Sequence, residues 1–527
     1  VTRRRSTWAV LTVGFLFICV LGTLTTPVAA GTAAGGNVDS GATLQHTQST
    51  QNETIEFAQE LRLVPDRPGE IEVEHEYEIP TNTTSIDVGL PLTAVVTWTD
   101  GFEQTGPQTY SWDQRSEDPQ LRYRIAANQT AHRSGATASD GRLVFADTGD
   151  WAIVKQPSST HRTTGATPDS TVAINRTPVV EDGIAGTDMA YLGPYDEFTH
   201  TAHNQTFRLI VPAEASLHAT PEAIFETISY GAGELEVGVE DDTVLLIAAP
   251  TGSGSVPWAS KGVQSGSADL WVQDTEPTDV ARNVWLHEYL HTQQSYETDR
   301  EVEWFTEATA TYYAALLTYE QGEISFATFE SELSHGESDR YSGAILSNQE
   351  TWEHRPDYTV GPLVVGAIDR ELRTETDGQV TFQSVFRSLN EHDGAVNEDV
   401  FFDAVLSTGT ETIAANARTY VTTTDRPSMW DSQTHTDAFD SSNSSVGSDI
   451  KGNWNTTATL YPTVADQPTQ SSTGLIHNNT DRKVTQASSH TIPTPQSGHT
   501  NESGSGVAPI ALCAIGGTVA WRRYRTP

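Results

Sequence analysis

From about residue 56 the apolar positions recur with a period of two. Ile71-Glu72-Val73-Glu74-His75-Glu76-Tyr77-Glu78-Ile79 alternates apolar with mostly acidic residues, the signature of a strand with one wet face. Ser85-Ile86-Asp87-Val88-Gly89-Leu90 and Leu121-Arg122-Tyr123-Arg124-Ile125 behave alike, and Asp66-Arg67-Pro68-Gly69 and Asp100-Gly101 mark turns between such runs. The pattern predicts an all-β, sandwich-like domain over 56–212. Past residue 212 the rhythm changes. Thr220-Pro221-Glu222 opens a helix with proline at an early position. Residues 243–248 read as a buried strand and 268–272 as a short alternating one. Helices are then predicted from the Thr278-Asp279 capping pair to about 295, and over 303–321, 326–333, 362–373, 382–389 and 399–406. Tyr312, Tyr313, Leu316 and Tyr319 give the 303–321 helix an apolar stripe that reads as core. The fold class is therefore multidomain α+β, with the β domain followed by a small sheet and a mostly helical part over 213–425.

The helical part carries the chemistry. Trp285-Leu286-His287-Glu288-Tyr289-Leu290-His291 contains H-E-x-x-H. On a helix, positions i and i+4 share a face, so His287 and His291 can aim at one ion. Glu288 beside them can hold and deprotonate a water. Catalytic zinc takes three protein ligands and keeps a fourth position open, and Glu307 on the next helix is the candidate third ligand. The bland alternative is a surface helix with two satisfied histidines, but that would not ask for apolar helix on both sides or a carboxylate a short turn downstream. The only cysteines, Cys19 and Cys513, lie in terminal apolar segments, so the site is a nitrogen and oxygen one for a single Zn2+ ion.

These residues resemble the gluzincin metallopeptidases, and most of all the aminopeptidase N and glycyl aminopeptidase families. Trp304-Phe305-Thr306-Glu307-Ala308 is similar to their tryptophan-led segment around the ligand glutamate, and Tyr358-Thr359-Val360-Gly361-Pro362 to the segment that carries their catalytic tyrosine. The resemblance spans about 215–425 and implies a zinc peptidase acting on peptide or protein substrates, with Glu288 as general base and Tyr358 as oxyanion donor. A packing tyrosine is the other reading of Tyr358, and Tyr341, His354 and His335 are lesser candidates for the same work. The chain departs from the family in three places. Fifteen residues separate His291 from Glu307, fewer than the aminopeptidase N type has; Ala308 stands where the family has glycine; and 262–268 holds no acid where aminopeptidases bind the substrate amine. The expected activity is peptide-bond hydrolysis. Endopeptidase rather than aminopeptidase specificity, or a non-catalytic surface glycoprotein with a structural zinc, stays open. In such folds an edge strand like 268–272 pairs with the extended substrate, and a plain edge strand is the alternative.

Charge and the chain ends set the surroundings. Acidic residues outnumber basic ones 70 to 30 among 527, for a net charge of −40, and lysine is confined to Lys155, Lys261, Lys451 and Lys483. Such a surface repels nucleic acid and suits a protein kept soluble in concentrated salt. Residues 1–30 combine Arg3, Arg4 and Arg5, an apolar run and small residues at 27–30, which predicts a signal peptide or a retained anchor. Residues 31–55 read as a flexible linker and 426–506 as a Ser/Thr-rich stalk too polar to bury a core. Residues 507–527, apolar and then basic, predict a membrane anchor or sorting tail at the extracellular face. Glycosylation sequons at Asn52, Asn82, Asn128, Asn175, Asn204, Asn443, Asn455, Asn478 and Asn501 avoid the stretch between the zinc helix and the stalk.

Overall fold

The computed structural model describes residues 54–130, 142–167, 170–239, 241–252, 256–439 and the backbone of a strand at 457–459. Both terminal apolar segments, most of the stalk and both cysteines lie outside the described residues.

The alternating stretches form strands as expected. Ile55–Leu63, Glu70–Glu78, Gln120–Ala126 and Val95–Asp100 pair antiparallel in that order, and Ile174–Val180 adds in parallel beside Ile55–Leu63. Their inward positions, Phe57, Leu61, Ile71, Val73, Tyr77 and Tyr123, are buried. The outward Glu74 is crossed by Arg62 and Arg122, which satisfies the acidic face without a core. A second sheet, ordered Thr160–Thr164, Ser85–Gly89, Thr109–Trp112 and Phe102–Gly106, shares the same apolar cluster through Ile86, Val88, Phe102 and Tyr110. A third contains Met189–Leu192, Ala152–Lys155 and Leu143–Asp147. It faces two ways: Ala152 and Val154 join the first core, while Phe145, Ile153 and Tyr191 join a second with Ile210, Ile247 and Trp271.

Those last three residues belong to a six-stranded sheet ordered Gly262–Ser265, Asp269–Gln273, Thr243–Ala249, Gln205–Pro212, Tyr195–Ala202 and Thr457–Thr459. The three middle strands from Gln205 to Gln273 run parallel. The hairpin Tyr195–Ala202 with Gln205–Pro212, which precedes residue 212, contributes to this sheet. The buried Asp269 carboxylate accepts from the amides of Asp188 and Met189 at 2.6 and 2.8 Å, pinning the sheet to the β layers.

The helices are α1 Pro221–Glu234, α2 Val284–Thr292, α3 Trp304–Glu320, α4 Phe326–Ser334, α5 Val360–Glu375, α6 Phe382–Asn390, α7 Glu398–Thr408, α8 Glu411–Thr422 and α9 Ser432–Phe439. α1 starts where Thr220 caps the amide of Ala223. α3 ends at Glu320, two residues before Gly322, whose φ of 87° suits the end of a helix. Tyr312, Tyr313 and Leu316 are buried on it and Tyr319 is partly buried, as core.

Two expectations need correction. α2 does not begin at Thr278-Asp279 or reach 295: it starts at Val284 and ends at Thr292. The cap is Asn283, whose Oδ1 accepts from the amide of Leu286 while its Nδ2 donates to Thr227 Oγ1 and the Thr278 carbonyl. A fully buried amide that satisfies both of its ends outcompetes a half-buried threonine. The polar stretch after 426 also begins with packed residues. Trp430 and α9 bury Trp430, His435, Ala438 and Phe439; His435 and Phe439 stack at 4.1 Å and the Arg373 guanidinium lies 4.4 Å over Phe439. Three aromatic side chains and two cations, Arg373 and the Arg370 guanidinium over Trp430, dock a helix whose composition is otherwise polar.

Candidate metal centre

α2 is nine residues long and presents its two histidines one turn apart. α3 packs across it, with Glu307 in its first turn. The result is a compact triangle. His287 Nε2 and His291 Nε2 stand 3.1 Å apart, and Glu307 Oε2 lies 3.3 Å from the first and 3.5 Å from the second. Among the described residues, no aligned hydrogen bond satisfies this buried Glu307 oxygen. A cation bound tetrahedrally at 2.0–2.1 Å has donor-to-donor edges of about 3.3–3.4 Å, so the three measured edges fit one ion of zinc's size. Among the described residues this is the one group of histidine, cysteine and carboxylate side chains close enough to hold a metal.

Glu288 is 5% exposed and one of its oxygens, Oε2, has no hydrogen-bond partner among the described residues. Burial, with Glu307 nearby, pushes its carboxyl up to about 8 despite the opposing pull of His291 and of the Gln264 amide. The strand Gly262–Ser265 lies directly over it. A Cβ on Gly262 would sit 2.6 Å from Glu288 Cγ and Oε1, so only glycine lets the strand approach this closely. That strand ends the sheet, paired antiparallel to Asp269–Gln273 on its inner side. The edge strand expected at 268–272 is thus one strand further in, and Gly262–Ser265 is the edge.

Burial opposes ionisation of Glu307, but the two imidazoles outweigh it and hold the carboxyl well below the usual range. The same carboxylate raises His291 to about 9 against the effect of burial, while burial lowers His287. A bound dication would compete with these protons for the same lone pairs.

Tyr358 reaches this cluster. It ends the short turn Pro356–Tyr358 ahead of α5, its ring lies 5.8 Å from that of His287 at 18°, and its hydroxyl hydrogen-bonds the Glu307 carboxylate. Burial, then Glu307, raises the phenol well above its ordinary value, so it keeps its proton as a donor. Arg355 lies 4.4 Å over the Tyr358 ring and is paired with the buried Asp357 at 2.7 Å.

No protein-family profile matches this chain, and no curated protein does. Solved structures do. Over 72% of this chain and 95% of the other, the fold is similar to an M1 zinc metallopeptidase from Deinococcus radiodurans, at 13% identity and a TM-score of 0.46. It is also similar to an aminopeptidase N family protein from Idiomarina loihiensis, at 13% identity and a TM-score of 0.45, over 66% of this chain and 73% of that one.

His287, Glu288, His291, Glu307 and Tyr358 therefore come together in space. The lesser candidates are engaged elsewhere: His335 Nδ1 faces the Glu332 carbonyl, and Tyr341 meets His354 edge-on at 6.3 Å. Sequence reasoning missed Gln294, whose Oε1 is 2.9 Å from His291 Nδ1, and the Arg355–Asp357 pair beside Tyr358. The signals were faint. Gln294 is simply three residues past the second histidine, and Arg355 and Asp357 flank the tyrosine in the run Arg355-Pro356-Asp357-Tyr358.

Proposed function

We propose that this protein is a zinc-dependent peptidase in which His287, His291 and Glu307 hold one zinc ion. The observation that supports it is the triangle of donors with 3.1–3.5 Å edges, a second buried carboxylate beside it and the last strand of the sheet above. When bound, zinc supplies Lewis acidity, which lowers the pKa of water and polarises a carbonyl. Glu288 takes a proton from the attacking water and returns it to the leaving amine nitrogen, a role its carboxylate is placed for beside the ligand triangle. Tyr358 donates to the carbonyl oxygen as that atom gains charge. The strand Gly262–Ser265, last in its sheet, pairs with the extended peptide and sets the scissile bond beside Glu288.

A second reading concerns specificity. Between Gly262 and Ala268 there is no carboxylate, and the Gln264 amide is turned back onto the Gly266 carbonyl at 2.8 Å. This favours peptides with no free amino terminus at that strand, hence endopeptidase action. Metal analysis of the purified chain, with hydrolysis of free and N-terminally blocked peptides, tests both. One zinc per chain, turnover abolished by chelation, and cleavage of blocked peptides are expected. Zinc without turnover would leave only a bracing metal; absence of zinc would end the proposal.

The setting we propose is exported, glycosylated and salt-adapted, held at the outer membrane face by the 507–527 segment. No described helix is long and apolar enough to cross a membrane, so this rests on the terminal segments alone. Protease accessibility of the protein on intact cells tests it.

A further inference from the structure

The loop that leaves α2 carries Gln294, a side chain 6% exposed and wedged between the two ligand-bearing helices. Its amide orientation is not arbitrary. One end lies 2.8 Å from the Thr306 carbonyl and 3.0 Å from Thr309 Oγ1. A carbonyl can only accept, so that end is the nitrogen, Nε2. The Thr309 hydroxyl proton is directed to the Phe305 carbonyl at 2.8 Å, which leaves Oγ1 free to accept from Nε2. The other end is then the oxygen, Oε1, and it lies 2.9 Å from His291 Nδ1. An amide oxygen can only accept, so Nδ1 carries the ring proton. In the neutral ring the lone pair is on Nε2, the atom that faces His287 Nε2 and Glu307 Oε2.

We propose that Gln294 is a positioning residue for the metal centre: it fixes the tautomer and rotation of His291 and ties that ring to the first turn of α3, where Glu307 stands. This rests on the zinc reading of the site. A hydrogen-bond chain runs from the α3 backbone through Thr309 and Gln294 to His291, so the distance between two ligands on different helices is set by side chains outside the ligand set. The loop is held in turn by Asn390 at the end of α6, which donates to the Gln293 carbonyl at 3.0 Å and accepts from the Ser295 amide at 2.9 Å. Being an amide, Gln294 orients the imidazole without adding a negative charge, so it leaves the bound ion a stronger electrophile than a carboxylate in the same place would.

The test measures metal binding, not turnover. Zinc affinity of the full-length chain is read by competition with a chromophoric chelator, and ligand geometry by the visible absorption of the Co2+-substituted protein. Gln294→Leu keeps the volume and removes all three hydrogen bonds; zinc affinity should fall roughly 10–100-fold, with shifted cobalt bands and an unchanged far-UV spectrum. Thr309→Val removes one Nε2 acceptor only and should weaken zinc in the same direction by a smaller factor, which keeps the idea testable if the first variant fails to fold. Wild-type affinity and cobalt bands in Gln294→Leu, or in Thr309→Val where only that variant folds, would overturn the proposal while leaving the zinc site intact. Failure of the wild-type chain to bind zinc or cobalt would overturn both together.

Discussion

Glu288 shows how two neighbours of identical chemistry are driven apart. Both it and Glu307 are buried carboxylates, yet the imidazoles keep Glu307 ionised while burial and Glu307 push Glu288 up to about 8. Under the proposed function, Glu307 stays a ligand and Glu288 exchanges the proton. Glu288→Gln should therefore retain one zinc and lose about 10²–10⁴ in kcat, measured by metal analysis beside steady-state kinetics; a variant with wild-type turnover would remove Glu288 from the chemistry. Tyr358→Phe should lower kcat by about 10²–10³ with a smaller change in KM, since the donated hydrogen bond gains strength only as charge develops. At this scale the sequence was informative. The H-E-x-x-H spacing places two imidazoles and a carboxylate on known sides of a helix whatever the rest of the chain does. Gln294 was not legible, because nothing in its type or position says that its amide bridges two helices.

At the scale of elements, α2 depends on its cap and on the strand above it. Asn283 is fully buried and serves α2, Thr227 of α1 and the Thr278 carbonyl at once. Asn283→Ala should destabilise the fold by about 1–3 kcal/mol in denaturant unfolding, more than an exposed cap would, because buried donors and acceptors are left without partners. Gly262→Ala probes the strand. The new methyl group would press on Glu288 at 2.6 Å, so one of the two must move. The expected result is zinc content unchanged and kcat lowered roughly 10–100-fold, because the base shifts while the ligands do not. Wild-type kinetics would mean that Glu288 has room to yield without cost. Strands and long helices were predicted closely by period, as Glu70–Glu78 and Trp304–Glu320 attest. The start of α2 was not, because capping strength there depends on burial that the local sequence does not encode.

For the whole molecule, acid sensitivity follows from the β core. His75 is fully buried between Phe57 and Tyr123; its Nδ1 is 3.2 Å from the Tyr77 hydroxyl, which in turn is 3.0 Å from His161 Nε2. Burial, then the His161 and Arg176 charges, lowers His75 from 6.5 to about 3, and burial lowers His161 to about 4. Below pH 6.5 the unfolded chain takes up these protons and the folded chain does not, so their stabilisation is complete above 6.5 and is lost as pH falls toward 3. His75→Gln should reduce the protons taken up on unfolding between pH 3 and 6.5 by about one, read from the slope of unfolding free energy against pH. An unchanged slope would mean that His75 is not neutral in the fold. The net charge of −40 acts over longer range. Molar KCl should raise the midpoint of thermal unfolding by screening self-repulsion.

The chain's own pattern determined the alternating strands and the longer helices, that two histidines and a glutamate share one helix as a candidate metal site, and that a second helix offers a carboxylate, because periodicity and short-range spacing are local properties. Folding in three dimensions decided the rest. It brought Tyr358 to Glu307, laid the Gly262 strand over Glu288, turned Gln294 onto His291 and docked α9 from a polar stretch. Those contacts join residues on separate elements, and their strength comes from burial, which only the packed molecule provides.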